Sequence, residues 1–285
     1  MSNASIVTND NKQIWIARLR RFFRWLTMPH VILSIIMLAV MFYMVIIPLY
    51  RMIVTTLTVQ EMDLRVLRDA ELGDFTFYHW IRMLTGQIAR IMTYEPLLHS
   101  LTISLGATAL ALTIGSLMAW LVVRTDVPGR EIIHILATVP YIMPSWTIAM
   151  AWIVLFKNRT SGGTPGLLEF ITNSPTPDWL AYGPFPIICS SGLHYYTFFF
   201  LFVSAALLSI DSSLEEAGEL AGAGRWRIMR KITLPLVVPA IASGFIMTFS
   251  KTMGTFGGPN VLGVPVRYYT LSTMLRSNTG IGNYG

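Results

Sequence analysis

Residues 211–239 read DSSLEEAGELAGAGRWRIMRKITLPLVVP, and this stretch constrains the interpretation of the whole chain. Ser213 followed by Glu216 is typical of a capping box at a helix start, and Ser212 with Glu215 offers the adjacent register. Small or apolar side chains recur at helical spacing on one face of this predicted helix: Leu214, Ala217, Gly218 and Ala221. Such a face permits close approach to another surface.

Two glycines, Gly222 and Gly224, interrupt this predicted helix. A second short helix is predicted over residues 225–234. Pro235 lacks a backbone N–H, so we expect the second helix to stop there. Residues 210–235 are therefore predicted to form a helix, a glycine bend and a second helix.

Apolar stretches flank this segment. A membrane span needs about 20 mostly apolar residues, and residues 31–50, VILSIIMLAVMFYMVIIPLY, contain no ionisable acid or base. Further spans are predicted at residues 97–123, 132–156 and 187–209, and a weaker one at 236–252. The segment 210–235 therefore lies between two spans.

The composition of the chain agrees with a membrane protein. Of 285 residues, 53% are hydrophobic and 13% are charged, whereas a soluble domain carries about 25% charged residues. The mean hydropathy is +0.56. Cys189 is the only cysteine, which excludes an intrachain disulfide. We predict an all-α polytopic membrane protein of about five spans, in contact with lipid and without a nucleic-acid partner.

Basic residues near span ends predict the orientation. Five of them precede the first span, against the single acid Asp10: Lys12, Arg18, Arg20, Arg21 and Arg24. The amino terminus is therefore expected in the cytoplasm. Alternation of spans then places loops 51–96 and 157–186 outside and loop 210–235 inside.

Three regions are predicted along the chain. Residues 1–30 form a cytoplasmic basic segment, residues 31–96 a first span with an extracytoplasmic loop of short surface helices, and residues 97–285 a transmembrane domain containing loop 210–235. The turn-rich loop 157–186 is expected to contact a partner outside.

The segment 211–239 resembles the cytoplasmic loop of binding-protein-dependent ABC importer permeases. That family's pattern is Glu-Ala-Ala, three residues, glycine, nine residues and Ile-x-Leu-Pro. Every spacing is kept here by the following residues: Glu216, Ala217, Gly218, Gly222, Ile232, Leu234 and Pro235. Gly218 departs from the pattern, since alanine is usual there. The resemblance runs from about residue 97 to the end, through RTDVPGRE at 124–131 and FGGPNVLGVPVRYYTLST at 256–273.

This resemblance implies a type I importer-like helical bundle in the plasma membrane of a prokaryote (the cell inner membrane). Loop 210–235 would dock into a cytoplasmic ATPase pair, with Glu216 close to the ATPase and Gly222 supplying the turn. The other implied partners are an extracytoplasmic solute-binding protein and a second permease half, as a homodimer, a heterodimer or a fusion.

No enzymatic site is visible in the sequence. It lacks a G-x-x-x-x-G-K-[ST] phosphate loop, so ATP hydrolysis is expected on a separate subunit. It also lacks H-E-x-x-H, and its five histidines show no ligand-like spacing. We therefore predict no cofactor, no metal site and no catalytic residue.

Five residues are candidates for the transport path. Pro140 and Pro144 would kink the third span and open a path, or simply set packing. Tyr195 and Tyr196 would line the path, or pack as interfacial rings. Lys251 would snorkel to the membrane surface, or act as a cationic path residue.

The solute is expected from the resemblance alone. Residues 255–277, TFGGPNVLGVPVRYYTLSTMLRS, look most like permeases for ferric iron. Thiamine, a polyamine or an oxyanion is the alternative solute. An alternative of another class is a membrane anchor that recruits an ATPase without transporting. Because the chain stops in a glycine-rich loop, we expect a truncated permease or the first part of a longer, fused one.

Overall fold

The computed structural model describes residue 25, residues 28–158 and residues 162–280. The basic residues on which the predicted orientation depends lie outside this range. Within it the regular secondary structure is helical, apart from an isolated antiparallel bridge between Thr58 and Phe75. The predicted all-α class is confirmed. The chain divides into two compact units, residues 1–82 and 83–284.

The first unit contains a long apolar helix, α1 (Pro29–Thr56). Pro29 stands in its first turn, where a missing N–H costs no helical hydrogen bond. Of the side chains of α1, only that of Val31 is buried. A 28-residue helix that is apolar on all faces and exposed along its length matches a lipid-facing span.

The segment after α1 is partly folded by local contacts. The Thr58–Phe75 bridge closes it, and a 3₁₀ turn at Asp63–Arg65 buries Asp63, whose Oδ2 lies 3.1 Å from Nε2 of His79. Helix α2 (Tyr78–Thr85) follows. Short helices are present in loop 51–96, as predicted, whereas the bridge was not predicted.

The second unit contains the other helices. They are α3 (Glu95–Arg124), α4 (Arg130–Leu136), α5 (Val139–Ile142), α6 (Ser145–Phe156), α7 (Leu167–Thr172), α8 (Asp178–Ala181), α9 (Pro184–Ser209), α10 (Ser212–Leu220), α11 (Arg225–Ile228), α12 (Leu234–Met253), α13 (Gly257–Leu262) and α14 (Leu271–Gly280). Helices α3, α9 and α12 correspond to three of the predicted spans. Their ends differ from the predictions by a few residues.

The core of this unit is the packing of α9 against α3 and α12. Along α3, small residues recur every four positions on the buried face: Ala107, Ala111, Gly115 and Ala119. This spacing lets helix backbones approach closely. The ring of Phe199 on α9 is fully buried and lies against Gly244 of α12, while its Cβ lies against Gly115.

The third predicted span, 132–156, is not one continuous helix. The stretch Arg130–Ile142 and helix α6 meet at an angle of 99°. Met143 and Pro144 are both extended at the break, as expected for a residue before proline and for a helix N-cap. By length and composition, the described residues contain four helical stretches able to cross a membrane, or five if this bent pair is one span.

One contact between α9 and the bent pair satisfies a backbone carbonyl at the junction of α4 and α5. Thr197 is buried and donates its hydroxyl to the carbonyl of Ala137, at 2.9 Å. Irregular backbone at membrane depth is tolerated where protein groups satisfy it. Tyr141 packs edge-on against Phe198, with ring centroids 4.8 Å apart.

Polar contacts also anchor the connections of the second unit. Asn158 donates to the carbonyl of Thr176 and to the carboxylate of Asp178, which closes the segment between α6 and α8. Near the carboxyl end, the N–H of Leu271 donates to the hydroxyl of Ser100, at 2.9 Å. The start of α14 is therefore held against the first turns of α3.

Candidate functional site

Helix α10 begins at a cap different from the one predicted. Asp211 is the N-cap, and its carboxylate accepts the N–H of Ser213 at 2.9 Å. The backbone and hydroxyl hydrogen bonds from Ser213 lower the pKa of the Asp211 carboxyl. The predicted capping boxes, Ser213 with Glu216 and Ser212 with Glu215, are wrong, because both serines lie inside the helix.

The glycine bend after α10 is present as predicted. Gly222 has φ +77°, in the left-handed region. Its N–H donates to the carbonyl of Glu219 at 2.9 Å, and the N–H of Ala223 donates to that of Gly218 at 3.0 Å. These two bonds around a left-handed glycine are the Schellman arrangement that ends helices. The direction of the chain after α10 therefore depends on Gly222.

Loop 210–235 has two arms, α10 before the glycine bend and α11 after it. The second arm does not stop at Pro235, which corrects the sequence prediction. Helix α11 runs into a π-helical turn, Met229–Thr233, and then directly into α12. Pro235 stands at the start of α12. In the π turn, hydrogen bonds join residues five positions apart instead of four. The helix can therefore pass the position where Pro235 offers no N–H. The loop is thus continuous with a membrane helix.

The residues that keep the family's pattern differ in their exposure. Glu216 and Ala217 are exposed, and so are Leu234 and Pro235. Gly218 and Ile232 are half-buried against each other. A Cβ at Gly218 would lie 3.2 Å from the side chains of Ile228 and Ile232. The small residue at this position therefore allows the two arms of the loop to pack.

Sequence reasoning missed the contacts of Glu215, the half-buried carboxylate of the loop. Glu215 accepts a hydrogen bond from Nη1 of Arg124 at 3.0 Å and another from the hydroxyl of Thr233 at 2.8 Å. Arg124 also donates to the carbonyl of Leu207 at 3.3 Å. The signal in the sequence was the paired acid Glu215-Glu216, since neighbouring helix residues face different sides.

Large apolar side chains are exposed on the loop. Leu220 is 91% exposed and Trp226 is 70% exposed. Leu214 is also exposed. These residues flank exposed Glu216 along the chain. Large exposed apolar side chains of this kind are features that a protein partner can cover.

The candidate path residues lie apart from this loop in the sequence. Pro144 lies at the break of the bent pair, and Pro140 lies in α5, the short helix before the break. Tyr195 and Tyr196 are buried in α9, whereas Lys251 is exposed in the last turn of α12. The described residues hold no group of His, Cys, Asp and Glu able to bind a metal ion.

Residues 111–283 match the family described as binding-protein-dependent transport system inner membrane component. The chain belongs to this family. Permeases of this family are transport components of the inner membrane and not enzymes. The chain is accordingly a membrane permease with several spanning helices, as its helices indicate.

Several curated permeases are similar in sequence. The molybdenum transport system permease protein ModB of Escherichia coli K12 is 28% identical over 62% of this chain and 79% of its own length. The molybdate/tungstate permease protein WtpB of Thermococcus kodakarensis is 24% identical over 72% and 73%. The sulfate permease protein CysW of E. coli K12 is 32% identical over 61% and 57%.

Solved structures show the same fold. One is a bacterial alginate ABC transporter in complex with a periplasmic protein that binds an alginate pentasaccharide. It matches with a TM-score of 0.60 and 16% identity, over 93% of this permease and 88% of that chain. A second, a bacterial ABC transporter that imports alginate, matches with a TM-score of 0.57 and 17% identity, over 89% and 82%. The permease therefore has the ABC importer permease fold predicted from the sequence.

Proposed function

We propose that this permease forms the transmembrane path for a tetrahedral oxyanion of the molybdate, tungstate and sulfate class. The supporting observation is that ModB, WtpB and CysW are named for these solutes, which share a shape and a double negative charge. Ferric iron, which the sequence resemblance favours, is the second candidate and rests on residues 255–277. Selection between them belongs to the binding protein, because a conduit must bind weakly enough to release its solute.

Energy for import comes from a separate ATPase pair that docks on loop 210–235. The exposed Glu216, Leu220 and Trp226 support this proposal, since they combine a carboxylate with apolar anchors. Residues 222–224 set the angle between the arms that present these side chains. A permease without transport activity, serving only as an anchor for the ATPase, is the competing proposal.

Two further partners complete the proposed importer. An extracytoplasmic binding protein delivers the solute, with loop 157–186 as part of its docking surface, where Phe170 and Ile171 of α7 are exposed. A second permease half, identical, related or fused, supplies the other side of the path. Pro140 and Pro144 would act as a gate at the break of the bent pair.

An uptake experiment tests the solute. Cells that express the permease with the binding protein and ATPase of its genomic neighbourhood should accumulate radiolabelled molybdate or sulfate. Unlabelled tungstate should compete, and ferric citrate should not. Accumulation of radiolabelled ferric iron without oxyanion uptake would instead support the second candidate. ATPase recruitment without uptake of any of these solutes would support the membrane anchor.

Cysteine labelling tests the topology. With Cys189 replaced, cysteines placed at Asn11 and at Ser213 should both resist a membrane-impermeant maleimide in intact cells. Between them lie α1, α3, the bent pair and α9, so the two positions share a side only if the bent pair crosses the membrane. Labelling of one position and not the other would make the bent pair re-entrant.

A further inference from the structure

Glu215, the half-buried carboxylate of the loop, connects elements that are distant in sequence. Its Oε2 accepts from Arg124, the last residue of α3, at 3.0 Å, and its Oε1 accepts from Thr233 in the π turn before α12, at 2.8 Å. Helix α10 itself packs against α11 and that π turn, which both follow it. Glu215 adds a contact with α3, which precedes α10 in the sequence.

Arg124 carries the connection one element further. Its Nη2 donates at 3.3 Å to the carbonyl of Leu207, in the last turn of α9. Carbonyls in a last helical turn have no helical donor, and a cation there also interacts favourably with the helix dipole. The buried Nε of Arg124 finds no acceptor among the described residues. The two Nη contacts therefore orient the guanidinium.

We propose that Arg124, Glu215 and Thr233 form a clasp that transmits movement of α10 to α3, α9 and α12 together. This inference rests on the proposed function and deepens it by assigning separate tasks to two adjacent acids. Glu216 is exposed toward the partner, while Glu215 holds the loop to the membrane helices. Glu215 is thus a positioning residue, acting through the ATPase contact that its neighbour makes.

The partial burial of the clasp favours a stable ion pair and stable hydrogen bonds. The side chains of Arg124 and Glu215 are 19% and 26% exposed, respectively, and Thr233 is buried. Partly buried pairs are screened less by salt than surface pairs. Removing one member leaves the hydrogen-bonding groups of the others without partners, which costs more than the loss of a surface ion pair.

The test compares variants of the complete transporter in proteoliposomes, with the binding protein and whichever of molybdate, sulfate or ferric citrate the wild type imports. Glu215→Gln keeps the size of the side chain and an acceptor for Thr233 but removes the charge that pairs with Arg124. We expect normal membrane abundance and ATPase retention, with the ratio of solute imported to ATP hydrolysed reduced by about tenfold. Glu219→Ala, an exposed acid on the same helix, is the matched control and should keep the wild-type ratio.

A double-mutant cycle separates the clasp from a general structural effect. Arg124→Gln should lower the ratio about as much as Glu215→Gln, and the double variant should lower it no further, because both remove one interaction. Additive losses, or an unchanged ratio in Glu215→Gln, would overturn the clasp.

Failure of the proposed function gives a different result. Glu216→Ala should lose the ATPase from the purified complex, while Glu215→Gln retains it. A wild-type chain that neither retains an ATPase nor imports any of the three solutes would overturn the proposed function and the clasp together. Wild-type import with a normal ratio in Glu215→Gln would overturn the clasp alone.

Discussion

Replacing Gly115 with leucine should remove the folded permease from the membrane, and alanine at this position should already lower its abundance. A Cβ here would overlap the carbonyl oxygen of Tyr196 and would lie 2.9 Å from the amide nitrogen of Phe200. Both are backbone atoms of α9, which cannot rotate aside as a side chain can. The substitution therefore forces α3 and α9 apart at the centre of the core.

The expected penalty exceeds that of ordinary overpacking, because the leucine side chain would meet backbone atoms of α9 that cannot move aside. Overpacking a core typically costs about 1–3 kcal/mol and occasionally more, against a total of about 5–15 kcal/mol. Membrane abundance of an amino-terminally tagged chain and its melting temperature in detergent measure the effect. Gly106→Ala is the control matched to Gly115→Ala on the same helix. Its Cβ would meet the flexible end of the Ile188 side chain, at 2.9 Å, and not backbone atoms. Wild-type abundance and melting of Gly115→Leu would mean that α3 and α9 do not pack in this way.

The sequence predicted the membrane helices well where composition alone defines them. Helix α3 spans Glu95–Arg124 against a predicted 97–123, and α12 spans Leu234–Met253 against 236–252. A long uncharged stretch must be helical in lipid, since every backbone group needs an internal partner. Charged residues mark the span ends only approximately, since α1 continues past Arg51 to Thr56 and α12 continues past Lys251 to Met253.

Two backbone irregularities could not be predicted in the same way. Hydropathy averages over a window and does not detect the 99° break before Ser145, although Pro144 marked a local disturbance. The prediction at Pro235 was wrong because proline ends a helix only where its N–H is required. The π turn Met229–Thr233 precedes it and joins α11 to α12.

The candidate site was predicted in part for a similar reason. The motif around Glu216 and Gly222 is local, so its glycine bend could be predicted from spacing. Glu215 and Arg124 are 91 positions apart, and no periodicity connects them. Their pairing follows from the packing of α3 beside α9, which brings Arg124 to the loop.

Gly222→Val is expected to lower ATPase co-purification by at least about tenfold and to lower uptake in parallel. At φ +77° an ordinary side chain is strained by about 1–2 kcal/mol, and a β-branched one is a stronger outlier. A tenfold change corresponds to about 1.4 kcal/mol. We expect relief of the strain to turn the chain out of the Schellman arrangement. This would reorient α11, which carries Trp226, relative to α10, which carries Glu216; both residues are exposed and are proposed to contact the ATPase.

Substitutions at the same bend distinguish strain from a direct clash. Nothing in the described chain lies within 4 Å of a Cβ at Gly222, so an added side chain would meet only a partner. Asparagine tolerates the left-handed conformation; Gly222→Asn should therefore retain more ATPase than Gly222→Ala, and Gly222→Val the least. At Gly224, with φ −70° and ψ 156°, valine is unstrained, and Gly224→Val is the matched control. Full ATPase retention and uptake in Gly222→Val would show that the bend does not carry the coupling, because no other residue in the loop fixes its turn through a left-handed backbone.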